Sequence, residues 1–330
     1  MLNIYLWLGS LTFVSSLAAK RPNIVVIIAD DLGWDDVSFH GSNEIPTPNI
    51  DSLAYDGIIL NNYYVSPICT PTRSALMTGR HPIHTGMQHG VLVGAAPYGL
   101  PLNETLMPQY FNKLGYSSHI IGKWHLGFFK DEYTPTKRGF QSHIGYWLGA
   151  EDYFNHLAEA HYGEIGYDFH RNMSVDKEAL GKYSTELFTE EAVKLIQHHN
   201  QTQPLFLYLP YQAVHSGNDY ERLQAPQKYI NRFPNIKHHG RKIYAGMVSA
   251  LDDGVGKVIK ALKDTGMYSN SVIVFSTDNG GPTHGYDGNM ASNWPLRIFQ
   301  VSKGVTTTLQ CGGGCITNTP KLSLHKVPII

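Results

Sequence analysis

The sequence predicts an α/β protein whose central, mostly parallel sheet is flanked by helices on both faces. Three observations lead there. Residues 24–29, 205–209 and 272–275 are short, continuous apolar runs of the kind that form strands buried on both faces. Longer stretches with helical character separate them, so strands alternate with helices along the chain. Nearly every polar cluster follows directly after such a strand, at the edge where open parallel sheets bind their ligands.

Taken in order, the run at 24–29 is rich in β-branched residues and stops abruptly at Asp30-Asp31-Leu32-Gly33. Residues 49–55 follow Thr47-Pro48 and read as a short helix; residues 58–65 read as a second strand leading into the loop at Cys69. Residues 71–78 are helical, with Pro71 in the first turn, where its missing N–H costs nothing. Residues 104–114 form an amphipathic pattern that Gly115 stops. A strand at 117–121 precedes Gly122-Lys123-Trp124-His125. A helix at 185–198, a strand at 205–209 ending near His215 and a long helix at 243–262 come next. The last strand, 272–275, runs into Ser276-Thr277-Asp278-Asn279-Gly280-Gly281. There is no internal repeat.

The 330 residues suffice for one large α/β domain or two smaller ones, and a hydrophobic fraction of 42% allows a sizeable core. The net charge of −1 offers neither the basic excess of a nucleic-acid binder nor an acidic tail for a polycation. The 17 histidines fit an enzyme better than a scaffold. Residues 1–19 read as a secretory signal, with an apolar stretch at 4–14 and small residues at Ser15, Ser16, Ala18 and Ala19, although no Lys or Arg precedes the stretch. That segment is too short and interrupted to span a bilayer, and no later segment is apolar enough to do so. Sequons at Asn103, Asn172 and Asn200 agree with a secretory route, lysosomal or extracellular. Of three cysteines, Cys311 and Cys315 are close enough in sequence to pair, which leaves Cys69 as an unpaired thiol in an oxidising compartment.

Cys69-Thr70-Pro71-Thr72-Arg73 places that thiol at the mouth of a helix beside an arginine, in a field that favours anions. Asp30-Asp31 and Asp278-Asn279, each after a strand, supply oxygen ligands for a hard cation such as Ca²⁺ or Mg²⁺. Singly, each pair reads as a cap or a turn. Together at strand ends they favour a metal, since three adjacent carboxylates without a cation repel one another. Lys123 and His125, two apart in an extended segment, are expected to face one point. His215 follows a strand and joins the set only in their company.

These residues carry a resemblance. Residues 69–80 resemble the first sulfatase signature, C-x-P-[ST]-R with a short helix ending in Thr78-Gly79-Arg80, and residues 115–125 resemble the second. Thr136-Lys137-Arg138-Gly139-Phe140, Gly145-Tyr146-Trp147 and Asn293-Trp294-Pro295-Leu296-Arg297 are similar to the arylsulfatase B-like branch. The resemblance covers roughly 21–297 and implies an alkaline-phosphatase-like, sulfatase fold. It implies that Cys69 is oxidised by the formylglycine-generating enzyme to formylglycine, and that Asp30, Asp31, Asp278, Asn279 and residue 69 hold one Ca²⁺. It further implies that Arg73 and His125 stabilise the formylglycine hydroxyls, that Lys123 bridges residue 69 and the sulfate, and that His215 contacts sulfate and protonates the leaving oxygen. The implied substrate is an aryl sulfate or sulfated carbohydrate, a sulfated amino sugar of a glycosaminoglycan in particular.

The motif match stops at Arg297. Ile298-Phe299-Gln300-Val301-Ser302-Lys303 replaces a basic family segment, and the role of that segment's sulfate-binding lysine does not transfer to Lys303. Residues 298–330 read as a divergent tail, and the family's smaller C-terminal domain has no counterpart in the sequence. The expected organisation is a signal at 1–19, an incomplete catalytic domain at 20–297 and the tail. Two functions follow from this, a sulfatase or a catalytically impaired secreted remnant. A phosphatase on the same fold would carry Ser or Thr in place of Cys69.

Overall fold

The computed structural model describes residues 21–161, 163–285 and 287–296, and the backbone of 310–311 and 314–317. The expected signal and the side chains of Cys311 and Cys315 lie outside the described residues. In chain order the strands are β1 Asn23–Ala29, β2 Gly57–Leu60, β3 Tyr64–Val65, β4 Ser117–Ile121, β5 Ser142–Gly145, β6 Leu157–His161, β7 Glu164–Tyr167, β8 His170–Arg171, β9 Ser174–Val175, β10 Leu205–Pro210, β11 Ser271–Thr277, β12 Gln310–Cys311 and β13 Gly314–Thr317. The helices are α1 Pro48–Tyr55, α2 Cys69–Thr78, α3 Met107–Lys113, α4 Ser184–His198, α5 Gln227–Ile230 and α6 His239–Asp264.

Nine strands make one sheet in the order β2-β13-β11-β1-β10-β4-β5-β8-β9. The five in the middle, β11 to β5, are mutually parallel; the outer pairings are antiparallel. β1 alternates as a strand covered on both faces must. Val25, Ile27 and Ala29 join the core under α4 and α6, while Val26 and Ile28 join the core built around Met77, Trp124 and Phe206. β10 does the same, with Leu205, Leu207 and Leu209 on one side and Phe206 and Tyr208 on the other.

Two expected elements change. The strand at 58–65 divides at Asn61-Asn62 into β2 and β3, which pair with β13 and β12 respectively. The helix expected from 104 begins only at Met107: Pro108 sits in its first turn, and the Gln109 side chain accepts a hydrogen bond from Leu106 N at 2.7 Å. Within the sequence's divergent tail, β13 enters the sheet between β2 and β11.

The register brings the chemistry together. Ala29 is level with Thr277, so β1 and β11 end side by side, and Asp278 N continues the ladder to Ala29 O at 3.0 Å. On the other flank Asp30 N donates to Ala213 O at 2.9 Å, and Lys123 N to Pro210 O at 2.9 Å. Gly122, at φ +124°, permits that last crossing: a Cβ there would run into the Pro210 carbonyl.

Candidate active site

Asp30 and Asp31 leave β1 at the carboxyl edge of the sheet, both buried. Cys69 is the first residue of α2 and is buried beside them, its Sγ 3.6 Å from Asp30 Oδ1. Lys123 reaches across from the end of β4, fully buried, with Nζ 2.6 Å from Asp30 Oδ2 and 3.2 Å from Cys69 Sγ. Arg73, one helical turn beyond Cys69, directs Nε and one Nη at Asp278 Oδ2 at 3.1 and 2.8 Å, and that Nη lies 3.4 Å from Asp30. Asp278 Oδ1 accepts from Asp31 N at 3.2 Å. Asn279 donates Nδ2 to Asp31 Oδ1, leaving its own Oδ1 buried without a partner. His215 donates from Nδ1 to Ser216 O at 2.7 Å, which turns Nε2 toward Asp31 Oδ2 at 3.5 Å. All of the residues expected from the sequence therefore gather at one sheet edge.

The electrostatics correct one expectation. Arg73 directs its hydrogen bonds at Asp278 and lies beside Asp30, while Lys123 is the cation that donates to the sulfur. Burial, reinforced by the three neighbouring carboxylates and opposed by Lys123, pushes the Cys69 thiol well above its ordinary value. Burial therefore favours the thiol over the thiolate at this helix mouth. The extended geometry expected around Lys123 and His125 also differs. His125 adopts φ +56°, and its ring lines the cavity over Cys69, donating from Nε2 to Leu92 O at 2.9 Å and keeping a buried Nδ1 without a partner among the described residues. Burial and the nearby Lys123 charge hold its pKa well below the ordinary value.

Charges do not balance within the cluster. Burial raises Asp30, but Lys123 and Arg73 overcome this and hold it low. Burial pushes Asp31 up to about 7, His215 opposing and the Asp30 and Asp278 carboxylates adding to the rise. Asp278 is raised by burial and by Asp30, against Arg73. One carboxylate is in excess of the lysine and arginine present. Asp30, Asp31, Cys69 and His215 can bring ligand atoms within 4.8 Å of one another, and the orphaned Asn279 Oδ1 adds a neutral oxygen. An oxygen-rich set with surplus negative charge fits a hard divalent cation.

The sequence assigned no role to several supporting residues, two of which, Thr70 and Trp147, lie within the quoted motifs. Thr70 donates to His125 O and accepts from Leu92 N, both at 3.1 Å, tying the α2 loop to the other two segments. Trp147 O accepts from His125 N at 3.1 Å, and Asp168 receives the N–H groups of Trp147 and Leu148. Gly149 lies against the His125 ring, where a Cβ would come within 2.7 Å of Cε1. Asn289 Nδ2 holds Asp31 O and Val214 O at 3.0 and 2.9 Å. Over Cys69 opens a cavity of about 250 Å³, lined by Asp31, His125, His215 and Asn279 among others.

The Sulfatase family model matches residues 22–302. The chain belongs to the sulfatase family. It is 46% identical over 283 residues to Arylsulfatase J of Mus musculus, covering 84% of this chain and 45% of that protein. It is 31% identical over 318 residues to N-acetylgalactosamine-6-sulfatase of the same species, covering 89% and 57%. This sulfatase chain thus spans about half the length of the curated relatives it matches. Among solved structures it is similar to Ps i-CgsB, with a TM-score of 0.78, 35% identity and coverage of 90% of this chain and 66% of that one. It is also similar to the PsFucS1 sulfatase from Pseudoalteromonas sp., with a TM-score of 0.69, 26% identity and coverage of 90% and 62%. The family model extends past Arg297, where the motif resemblance ends. Among the described residues no helix is long and apolar enough to cross a membrane.

Proposed function

We propose that this chain hydrolyses sulfate esters of carbohydrates or aryl alcohols, using residue 69 as formylglycine beside a calcium ion. The observation that carries this reading is Cys69: buried, without a disulfide, protonated by its surroundings, and yet in contact with both Lys123 and Asp30. A thiol held inert in such a site makes sense as a precursor. Converted to formylglycine by the modifying enzyme of the secretory pathway, residue 69 supplies a hydrated aldehyde, with one hydroxyl to attack sulfur and a second to expel sulfate. Asp30, Asp31, Asp278, Asn279 and residue 69 would hold Ca²⁺, which supplies positive charge to the attacking hydroxyl and the sulfate oxygens.

The chain's own residues do the rest. Lys123, at 3.2 Å from Cys69 Sγ, is fixed by Asp30 and directs ammonium protons at residue 69 and the sulfate. Arg73 orients Asp278 and Asp30, and its second Nη is buried without a partner beside the site. The unpartnered Nδ1 of neutral His125 accepts a proton from a hydroxyl on residue 69. His215, whose pKa is raised against burial by Asp31 and Asp30, carries a proton at Nε2 for the leaving alcohol oxygen. The relatives named for N-acetylgalactosamine-6-sulfatase activity, and a solved neighbour in complex with k-i-k-neocarrahexaose, support a sulfated sugar as substrate. A secretory, lysosomal or extracellular location is consistent with the sequons and the N-terminal pattern.

The test pairs mass spectrometry of the peptide bearing residue 69 with turnover of an aryl sulfate by the chain and by Cys69→Ala. An aldehyde at residue 69 and turnover lost in the variant are expected. A residue that stays a thiol, or equal background turnover in both, rejects the reading and leaves the impaired remnant.

A further inference from the structure

The mouth of the site has a charge opposite to what a polyanionic substrate needs. Around the cavity over Cys69, the charged lining residues beyond the catalytic edge are Glu159, Asp219 and Asp287. No lysine or arginine lines it among the described residues; Lys123 and Arg73 lie buried beneath, bound to carboxylates. Glu159 is exposed and makes only a peptide contact, accepting from Gly163 N at 3.1 Å. Asp219 is exposed and shares its charge with Arg222 at 2.6 Å. Asp287 is half-buried, near enough to act on Asp31 and His215. The rest of the mouth is apolar: Val91 and Val93 are 39% and 44% exposed, and Leu92 and Leu148 stand behind them. The cavity, about 250 Å³, falls just under the roughly 300–1,000 Å³ of most small-molecule sites, which suits a single ring. Two buried polar atoms on its wall, His125 Nδ1 and Asn279 Oδ1, have no partner among the described residues, as expected of a wall that meets a ligand.

We propose that this site selects esters whose ring carries one sulfate and no second anionic group beside it: a neutral aryl or sugar ring rather than a uronate-bearing or multiply sulfated one. The proposal rests on the sulfate-ester reading above and narrows it. A sulfate that reaches the floor rests over Cys69, whose sulfur has the buried Lys123 ammonium 3.2 Å behind it, whereas a second anion left at the mouth meets Glu159, Asp219 and Asp287 in partly excluded solvent. The valines offer an apolar face to the ring itself.

Two near-isosteric probes isolate the charge: 3-carbamoylphenyl sulfate and 3-carboxyphenyl sulfate. The expected result is a kcat/KM on the order of tenfold higher for the carbamoyl ester at low salt. The ratio should shrink toward one as ionic strength rises, because exposed charges are screened while leaving-group chemistry is not. In the Glu159→Gln and Asp287→Asn double variant the ratio should narrow in the same direction. Binding of the two intact esters to the Cys69→Ala chain should show the same preference without turnover. Equal or better use of the carboxylated ester, or a ratio that ignores both salt and the double variant, overturns the proposal. Absence of turnover of either ester, with neither binding, instead rejects the sulfate-ester reading itself.

Discussion

Lys123 is the residue on which most of the site converges. Its ammonium is entirely buried between Asp30 and Cys69; burial opposes its charge, but the combined attraction of Asp30 and the other anionic neighbours more than offsets this and raises its pKa. Lys123→Ala would strand Asp30 in the interior with only Arg73 for company. We expect a loss of about 3–5 kcal/mol in denaturant unfolding, the cost of breaking a buried pair. Turnover should fall ~10²-fold or more with the donor gone. Gly149 is the quieter counterpart. Its missing Cβ leaves room for the buried His125 ring, so Gly149→Ala should lower kcat/KM of an aryl sulfate and, because the ring has to shift, cost about 1–3 kcal/mol in equilibrium unfolding. Away from the catalytic edge, Glu151 and His156 share a buried contact, Nδ1 to Oε1 at 3.0 Å. Burial pushes Glu151 up to about 7, against the pull of His156, and the carboxylate in turn raises His156 against its own desolvation. Both folded values lie above the unfolded ones, so folding takes up protons and stability falls as pH rises. For Glu151 the window runs from its ordinary 4.5 to about 7. Urea unfolding across that window should show the decline, and Glu151→Gln should flatten it.

At the scale of elements, α1 is fixed by a side chain from elsewhere in the fold. The N-terminus of α1 has no capping side chain of its own; Asp252 of α6 accepts from Asn49 N and Ile50 N at 3.0 and 2.9 Å and does the work from 203 and 202 residues away. Asp252→Ala should cost about 1–3 kcal/mol in equilibrium unfolding, because it leaves the buried Ile50 N–H and the part-buried Asn49 N–H unmet. An unchanged midpoint would mean water replaces the carboxylate. The central parallel strands β1, β10 and β11 were legible because burial on both faces forces apolar runs, and α6 because its apolar stripe is long. The division of 58–65 was not legible: both halves carry the same β-forming composition, and the break follows from which partner strand each half meets. β5, β8 and β9 are too short for a periodic pattern to stand out.

The whole molecule holds together a site whose carboxylates outnumber its lysine and arginine. A divalent cation that binds only the folded chain should therefore stabilise it by about 2.7 kcal/mol at a hundredfold excess over Kd. Calcium should raise the melting temperature by several degrees, a chelator should reverse the rise, and Asp31→Asn should blunt it. No response to calcium in any buffer would remove the metal from the proposal. The sequence by itself determined the alternation of strands and helices, the positions of Asp30, Asp31, Lys123, His215 and Asp278 after strands, and those of Cys69 at the start of a helix and Arg73 one turn into it, because these depend on local periodicity and short spacing. Only the tertiary structure decided which charge meets which. Arg73 chose Asp278 over the sulfur, His125 turned to Leu92, and the mouth became acidic, because Coulombic and hydrogen-bond partners are set by distance in space, which strand order and register create and no stretch of sequence contains.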